Sequence, residues 1–288
     1  MKFVLSAFGT RTANLPALAV AAEEAGWAML TLSEHIVNVE KPKTPYPYTA
    51  DGSRRWPEFT EFPDQFVTIG ALATITKRLR FTTNAFVLPM RNPFLAAKAL
   101  ATLSVLSGNR VVPSIGVGWS RDEFELMQQD FSTRGKRCDE MIEVMRLLWS
   151  GEYVEYHGRH YSFDRLEMNP RPAGYIPLWI GGISEAALRR VARLGDGWLT
   201  DLQPAADIVA GIGKIRAWRH ELGRDPQFDV MATPADVYDV DGYRRLEAQG
   251  VTHIIMQPWQ IYHPGTQDLQ QQKDSIRRYA EEVIGRCS

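Results

Sequence analysis

One of the six histidines, His35, directly follows a predicted strand, a position where proton-transfer groups are often found. It follows the apolar segment from Met29 to Ser33, which has the composition of a buried strand. Imidazole gives and takes protons near physiological pH, so His35 is a candidate general acid or base. The alternative is a structural role, in which His35 packs under the loop that follows the strand.

A second group of residues, Gly181-Gly182-Ile183-Ser184, joins a short apolar segment to a predicted helix. Two glycines let the backbone approach a ligand closely, and we expect their N–H groups to face outward with the helix N-terminus behind them. Ser184 can donate to a phosphate but is also a natural N-cap. The segment therefore predicts either an anion cradle or an ordinary turn with a serine cap.

A third group, Gly116-Val117-Gly118-Trp119, also follows an apolar segment. It superficially resembles a dinucleotide-binding fingerprint, but position 121 is arginine where a third glycine is required, so we expect no Rossmann site. A flat ring packed against the end of a strand would explain Gly116 and Gly118. A tight turn would explain them equally well.

Several other kinds of chemistry find no support in the sequence. His157 and His160 lie across a glycine-containing hairpin with no third ligand nearby, so we expect no metal site. A formal net charge of −1 without a long basic run predicts neither nucleic-acid nor membrane partners. We expect a cytoplasmic protein in which Cys138 is a buried structural thiol and Cys287 lies in a frayed terminus.

Strand-like and helix-like segments alternate along the chain, which predicts an α/β fold with a parallel sheet. We expect a (β/α)8 TIM barrel that forms a single domain over residues 1–288, although an open doubly wound sheet gives the same alternation. Asn14 is the expected N-cap of the first helix. The predicted strands are 3–7, 29–33, 79–85, 110–116, 178–181, 197–200, 228–231 and 252–256, and the predicted helices are 14–25, 67–76, 93–106, 134–150, 184–194, 208–222 and 242–249, followed by a polar helix.

Two segments depart from this alternation. Residues 37–63 form a long loop rich in proline and aromatic residues, and loops of this length are usually functional or disordered. With Tyr46, Tyr48 and Trp56, it is the expected lid and substrate wall. Residues 152–176 are expected to form a surface hairpin insertion. Because the sites of such barrels lie at the C-terminal ends of the strands, the lid should cover the three groups described above.

Five sets of residues occur in a fixed order along the first two thirds of the chain. They are Ala21-Ala22-Glu23-Glu24-Ala25-Gly26-Trp27 with Ser33-Glu34-His35; Leu88-Pro89-Met90-Arg91-Asn92-Pro93 with Ala97-Lys98 and Ala101-Thr102-Leu103; Gly116-Val117-Gly118-Trp119 with Glu123-Phe124; Arg134-Gly135-Lys136-Arg137 with Glu143 and Leu148-Trp149; and Pro170-Arg171-Pro172 with Leu178-Trp179-Ile180-Gly181-Gly182 and Gly195-Asp196-Gly197-Trp198. As an ordered set over residues 1–200, they resemble the luciferase-like monooxygenase superfamily, and within it the F420-dependent oxidoreductases.

The resemblance implies a luciferase-like TIM barrel that holds a tricyclic cofactor at its C-terminal face. It places His35 near the reactive ring, and it places a non-proline cis peptide at Asn84-Ala85 behind the ring. Gly116, Gly118 and Trp119 are then candidate ring contacts, and Gly181, Gly182 and Ser184 match the phosphate side. It also implies a homodimer or a higher homo-oligomer that pairs through the alanine-rich helix 93–106.

Two departures from the family pattern limit what is carried over. Relatives that oxidise a sugar phosphate have a glutamate as proton donor at the end of strand four, where this chain has Trp119 by spacing, so that chemistry is not carried over. Pro113 lies within strand four and cannot donate to the sheet, so we expect a local irregularity there.

Three functions remain open at this point. The first is hydride transfer between coenzyme F420 and a small organic substrate, with His35 as the proton-transfer group. The second is an FMN-dependent luciferase-like monooxygenase on the same barrel. The third is a cofactor-free barrel that serves as a binding or structural module.

Overall fold

The computed structural model describes residues 1–287 and shows parallel strands surrounded by helices. The strands are β1 (Lys2–Ser6), β2 (Met29–Leu32), β3 (Arg80–Thr83), β4 (Phe86–Val87), β5 (Val111–Val112), β6 (Ser114–Gly116), β7 (Val154–His157), β8 (Ser162–Leu166), β9 (Trp179–Gly181), β10 (Gly197–Gln203), β11 (Asp229–Pro234) and β12 (His253–Met256). The α-helices are α1 (Leu15–Glu24), α2 (Gln65–Ile75), α3 (Pro93–Ser107), α4 (Arg121–Leu126), α5 (Arg134–Leu148), α6 (Glu185–Leu194), α7 (Ala205–Glu221), α8 (Val240–Gln249), α9 (Trp259–Tyr262), α10 (Leu269–Tyr279) and α11 (Gly285–Cys287).

The main sheet closes on itself. Its order is β4-β6-β9-β10-β11-β12-β1-β2-β3-β5, and all of the pairings are parallel. Two residues separate β3 from β4, and Pro113 alone separates β5 from β6, so the ten segments make up eight barrel strands. Because β3 pairs with β5 and β4 pairs with β6, the two ends of the order meet. The predicted (β/α)8 barrel is therefore confirmed.

The barrel strands are apolar on both faces, as expected when a sheet has helices outside and a filled interior. Outward-facing residues such as Phe3 and Leu5 belong to a large core between the sheet and the helices. A smaller cluster fills the barrel interior, and it consists of Val4, Met29, Val112, Trp179, Leu199, Met231 and Ile255. The expected core positions of Trp179 and Trp198 are confirmed, since these side chains are 1% and 2% exposed.

The expected irregularity of strand four is confirmed. Pro113 interrupts the strand between β5 and β6. The hydroxyl of Thr83 accepts the Ser114 N–H at 2.9 Å and lies 2.8 Å from the Ser114 carbonyl oxygen, to which it donates. The Thr83 hydroxyl therefore replaces backbone hydrogen bonds between two neighbouring barrel strands, each of which is interrupted at this point. The Asn84–Ala85 peptide that separates β3 from β4 is cis.

Asn14 is the N-cap residue of α1, as predicted, but its side chain does not cap the helix. Its amide instead donates to the Gln267 carbonyl at 3.3 Å and to Gln272 Oε1 at 3.2 Å, which ties α1 to the C-terminal segment. Two other expectations about local structure were wrong. Cys287 is not in a frayed terminus, because it is only 7% exposed and belongs to the core. The segment after Trp119, for which we predicted no helix, contains α4.

The two segments outside the alternation take different forms. Between β2 and α2 the chain has no strand or helix, so residues 37–63 form one long connection. The antiparallel pair β7–β8 forms a separate two-stranded sheet within residues 152–176, as predicted. Within residues 1–287 no helix is both long and apolar enough to cross a membrane.

Candidate active site

His35 lies just beyond β2, and Glu123 holds its ring. The His35 Nδ1 atom is 2.9 Å from Glu123 Oε2, and the Ile36 N–H donates to Glu123 Oε1 at 2.7 Å. The two side chains are 11% and 5% exposed. Because an ionised carboxylate only accepts hydrogen bonds, we assign the ring proton that faces Glu123 to Nδ1. Nε2 is then the ring nitrogen that remains for proton exchange.

Glu123 is placed by α4, the helix that follows the end of β6. The hydroxyl of Ser120 caps this helix by accepting the Glu123 N–H at 3.3 Å. Gly118 has a φ of +80°, and a Cβ there would lie 2.6 Å from Val87 Cγ1 and 2.7 Å from Phe124 Cε2. Only glycine allows α4 to pack this closely against β4. This packing is a sufficient reason for glycine at position 118, and it brings Glu123 to His35.

Aromatic rings surround His35. Its ring centroid lies 4.7 Å from that of Trp56, 5.0 Å from that of Phe62 and 5.7 Å from that of Trp119. Trp56 and Phe62 belong to the long loop, whereas Trp119 follows β6. The loop therefore covers the candidate proton-transfer group, and Trp119, selected from the sequence, is next to His35.

The long loop is fastened across the mouth of the barrel. Arg55 Nη2 lies 2.9 Å from Asp201 Oδ2, and Arg55 Nε donates to the Tyr46 hydroxyl at 2.9 Å. Asp201 belongs to β10, on the opposite side of the barrel from β2, where the loop begins. The loop therefore spans the barrel opening, and Arg55 holds both the opposite rim and a neighbouring part of the loop.

Glu34, the residue before His35, secures the end of β2. Its Oε2 accepts the Val87 N–H at 2.7 Å, and the carboxylate forms an ion pair with Arg91. The guanidinium of Arg91 stacks over the ring of Phe86 at 4.5 Å. Burial raises the pKa of Glu34, and the charge of Arg91 opposes this rise. Glu34 therefore ties the residue before His35 to the strand that begins just after the cis peptide.

A surface without large side chains is formed where the residue before β4 meets the last residues of β6 and β9, three strands that are neighbours in the sheet. A Cβ added to Gly116 would lie 3.2 Å from the Cβ of Ala85, and one added to Gly181 would lie 3.6 Å from the same atom. Larger residues at either position would fill the space beside Ala85. Four of the residues selected from the sequence, Asn84 among them, are thus brought together.

The polar groups of the turn after β9 make more intramolecular hydrogen bonds than we expected. The Gly182 N–H donates to the Leu199 carbonyl at 3.2 Å, and the Trp198 Nε1–H donates to the Gly182 carbonyl at 2.8 Å. The expectation that both glycine N–H groups face a ligand is therefore wrong for Gly182. The Ser184 Oγ accepts the Ala187 N–H at 3.3 Å, so the serine is an N-cap. An anion at this turn would meet the Ser184 hydroxyl proton and the first N–H groups of α6.

These features allow a test of whether the site suits the cofactor type that the sequence resemblance implies. Ala85, Gly116 and Gly181 lie close together and carry no side chain larger than a methyl group, so this patch suits the face of a planar ring. The N-terminus of α6 with Ser184 suits an anionic group. The residues therefore fit a flavin or a deazaflavin phosphate. Residues 1–287 contain no group of three or more His, Cys, Asp or Glu side chains placed to hold a metal ion.

Reasoning from the sequence missed two parts of this site. It did not assign a role to Glu123, although Ser120 and Glu123 have the Ser-x-x-Glu spacing of a capping box, which signals a helix start. It also missed the Arg55–Asp201 pair, because 146 positions separate the two residues and no local pattern connects them.

Comparison with known proteins gives relatives with both kinds of cofactor. An uncharacterized protein of Mycobacterium tuberculosis is 38% identical over 272 residues, which are 93% of this chain and 94% of that protein. An F420-dependent glucose-6-phosphate dehydrogenase of Nakamurella multipartita is 30% identical over 81% of this chain and 66% of that enzyme. An FMNH2-dependent dimethylsulfone monooxygenase of Pseudomonas fluorescens is 32% identical over 54% of this chain and 44% of that enzyme.

Solved structures show the same fold over the whole chain. The monooxygenase RslO1 of Streptomyces bottropensis superposes with a TM-score of 0.79 at 18% identity and covers 100% of both chains. An F420-dependent secondary alcohol dehydrogenase superposes with a TM-score of 0.77 at 17% identity, over 100% of this chain and 99% of that one. The model of the luciferase-like monooxygenase family matches residues 4–278. The chain therefore belongs to the luciferase-like monooxygenase family.

Proposed function

We propose that this protein is an oxidoreductase that transfers hydride between coenzyme F420 and a small organic substrate. The observation that carries the proposal is the pairing of His35 with Glu123 next to the surface formed by Ala85, Gly116 and Gly181. The Glu34–Val87 hydrogen bond of 2.7 Å connects the two, because Glu34 precedes His35 and Val87 lies two residues after Ala85. The mouth thus combines a proton-transfer group with a place for a flat ring.

The chain's own residues have three tasks in this proposal. His35 Nε2 gives or takes the proton that accompanies hydride transfer, and Glu123 stabilises the charged imidazolium. The rings of Trp56 and Phe62 exclude water from the same space. When bound, a deazaflavin supplies a ring carbon that carries hydride, and this cofactor reacts poorly with oxygen. FMN, by contrast, also activates oxygen.

An FMN-dependent monooxygenase is the second candidate. It is supported by the similarity to the dimethylsulfone monooxygenase, and the same surface would accept its ring. We further propose a small-molecule substrate and a homodimer.

The test is a titration of the purified protein with F420 and, separately, with FMN. Fluorescence quenching and thermal stabilisation report binding directly. Tight binding of F420 with weak binding of FMN supports the first candidate, and the reverse supports the second. If neither cofactor binds, both proposals fail and a cofactor-free binding or structural module remains.

A further inference from the structure

A cleft opens between the long loop and the turn after β9. Its volume is about 340 Å³, which lies within the usual range for sites that take small organic ligands. One wall comes from the loop and the other from the turn and the end of β10. The lining residues are Pro47, Tyr48, Thr49, Ala50, Ile183, Leu202 and Gln203.

Large apolar side chains converge on this cleft although they remain open to solvent. Tyr48 is 40% exposed, Ile183 is 44% exposed and Leu202 is 38% exposed. Scattered exposed apolar residues need no explanation, but three that face one cavity at the mouth of a barrel form a surface that a ligand can cover.

Leu202 is held at the cleft by an unusual backbone. The pairing of β10 with β11 shifts between Asp201 and Gln203, so Leu202 is the extra residue of a bulge. Its φ is +49°, a left-handed conformation that disfavours leucine. The Gln203 side chain donates to the Asp201 and Leu202 carbonyls at 3.4 Å and 3.3 Å. Bulges of this kind redirect side chains near active sites, and strained residues persist where function requires them.

The cleft carries no net charge. None of its seven lining residues has a charged side chain, and burial raises the pKa of the Tyr48 phenol, which therefore stays neutral. The nearby Arg55 and Asp201 are paired with each other at 2.9 Å. None of the lining side chains offers a charged group a partner of opposite charge, whereas an apolar group would gain contacts with Tyr48, Ile183 and Leu202.

A continuous set of aromatic contacts leads from the cleft to His35. The ring centroid of Tyr48 is 5.4 Å from that of Tyr46, and Tyr46 is 5.2 Å from Trp119, which in turn is 5.7 Å from His35. Tyr48 of the cleft therefore belongs to the same aromatic cluster as the rings that surround His35.

We infer that this cleft binds the uncharged, apolar body of the substrate, while the reacting end of the substrate reaches His35. The inference rests on the proposed function, since it takes the mouth of the barrel to be the active site. It selects an uncharged apolar organic compound over a phosphorylated or carboxylated one. Tyr48, Ile183 and Leu202 are the specificity-determining residues.

The test uses the neutral fluorescent probe N-phenyl-naphthylamine and its sulfonated analogue, anilinonaphthalene sulfonate. The wild-type protein is expected to bind the neutral probe more tightly than the anionic one. Leu202→Asp and Ile183→Asp should each raise the Kd of the neutral probe by about tenfold or more, because each puts a charge into the apolar cleft. Aspartate and asparagine tolerate the left-handed backbone, so Leu202→Asn serves as a second variant that is expected to fold.

The matched control is Leu222→Asp, which replaces an exposed leucine just after the end of α7, away from the cleft. It should leave the Kd of the probe unchanged. The inference is overturned if the wild type does not bind the neutral probe, if the sulfonated probe binds equally well, or if the cleft variants bind the probe like the control.

Titration of the same variants with F420 and FMN separates this inference from the proposed function. Cofactor affinity should change by less than about twofold in the Leu202 variants, because Leu202 lies on β10, outside the residues that would hold the cofactor. Ile183→Asp is not used for this comparison, because Ile183 lies in the turn between Gly182 and Ser184. A large loss of cofactor affinity in Leu202→Asn would assign the cleft to the cofactor and overturn the inference. If the wild type binds neither cofactor, the proposed function fails, while the probe measurements still decide whether the cleft takes an uncharged apolar ligand.

Discussion

At the scale of single residues, the site depends on one imidazole whose two nitrogens have different tasks. The Nδ1 atom of His35 is engaged by Glu123 at 2.9 Å, so the proton chemistry falls to Nε2. A carboxylate that also accepts the Ile36 N–H fixes both the ring and the start of the lid. Catalytic histidines commonly have such an orienting partner.

If His35 transfers the proton, His35→Ala should lower turnover by about 10²–10⁴-fold, the usual contribution of a general acid or base. Cofactor affinity should change far less, because the α6 N-terminus and the glycine surface remain. Single-turnover rate, cofactor Kd and melting temperature are measured on one preparation. A near-normal rate per folded molecule would remove His35 from the mechanism and leave it a structural residue.

Glu123→Gln should impair His35 without removing it. The amide oxygen must still accept the Ile36 N–H, so the amide NH2 group faces Nδ1 and the imidazole proton moves to Nε2. Turnover should fall by roughly tenfold or more at a nearly unchanged melting temperature, because the tautomer with its proton on Nε2 presents the wrong nitrogen to the substrate. A purely structural Glu123 would instead lower the melting temperature and leave the turnover per folded molecule near normal.

At the scale of elements, the alternation of strands and helices was readable because each strand is a short apolar segment bounded by turn residues. Hydrophobic periodicity did not reveal α4, since a six-residue helix is too short to show it. The position of this helix depends instead on its Ser120 cap and on Gly118. Reasoning from the sequence therefore missed Glu123. The course of the lid was not readable either, because its anchor, Asp201, belongs to a strand far along the chain.

Arg55 should keep the lid closed. Arg55→Gln removes the charge that pairs with Asp201, so residues 37–63 should exchange amide hydrogens faster and turnover should fall as water reaches His35. Arg54→Gln is the matched control, because the ion pair of Arg54 with Glu58, at 3.3 Å, lies within the same loop. Equal exchange rates in the two variants would show that Arg55 does not hold the loop.

At the scale of the whole molecule, the two ends of the barrel serve different purposes. The C-terminal end carries the candidate site, and the opposite end is closed by apolar packing around Trp179. His253 is buried there, with its ring 4.9 Å from that of Trp179. Burial lowers the pKa of His253 from 6.5 to about 3, so its imidazole is neutral in the folded protein.

This burial makes stability depend on pH in a definite direction. Below pH 6.5 the unfolded chain binds a proton at His253 that the folded protein does not bind until about pH 3, so the free energy of unfolding should fall as the pH falls through this range. The loss should reach about 3 kcal/mol near pH 4. Denaturant titrations at several pH values give the free energy of unfolding as a function of pH. This free energy should depend less steeply on pH in His253→Gln than in the wild type. An identical slope would mean that other groups cause the pH dependence.

The last prediction concerns assembly. An apolar groove of about 430 Å³ lies beside α3, and Phe66, Met90 and Ala99 are among its lining residues. Leu95 lines it too and is 72% exposed, a large share for a leucine at the start of a helix. Exposed apolar grooves of this kind are typical of surfaces that pair, so we expect a homodimer in which α3 faces a second copy.

Leu95→Glu should convert the dimer to a monomer in light scattering at micromolar concentration, because two symmetry-related carboxylates would be buried at the contact. Leu222→Glu, which changes an exposed leucine at the far end of α7, should remain dimeric. A monomeric wild-type protein, or a dimeric Leu95→Glu variant, would exclude α3 as the dimer contact.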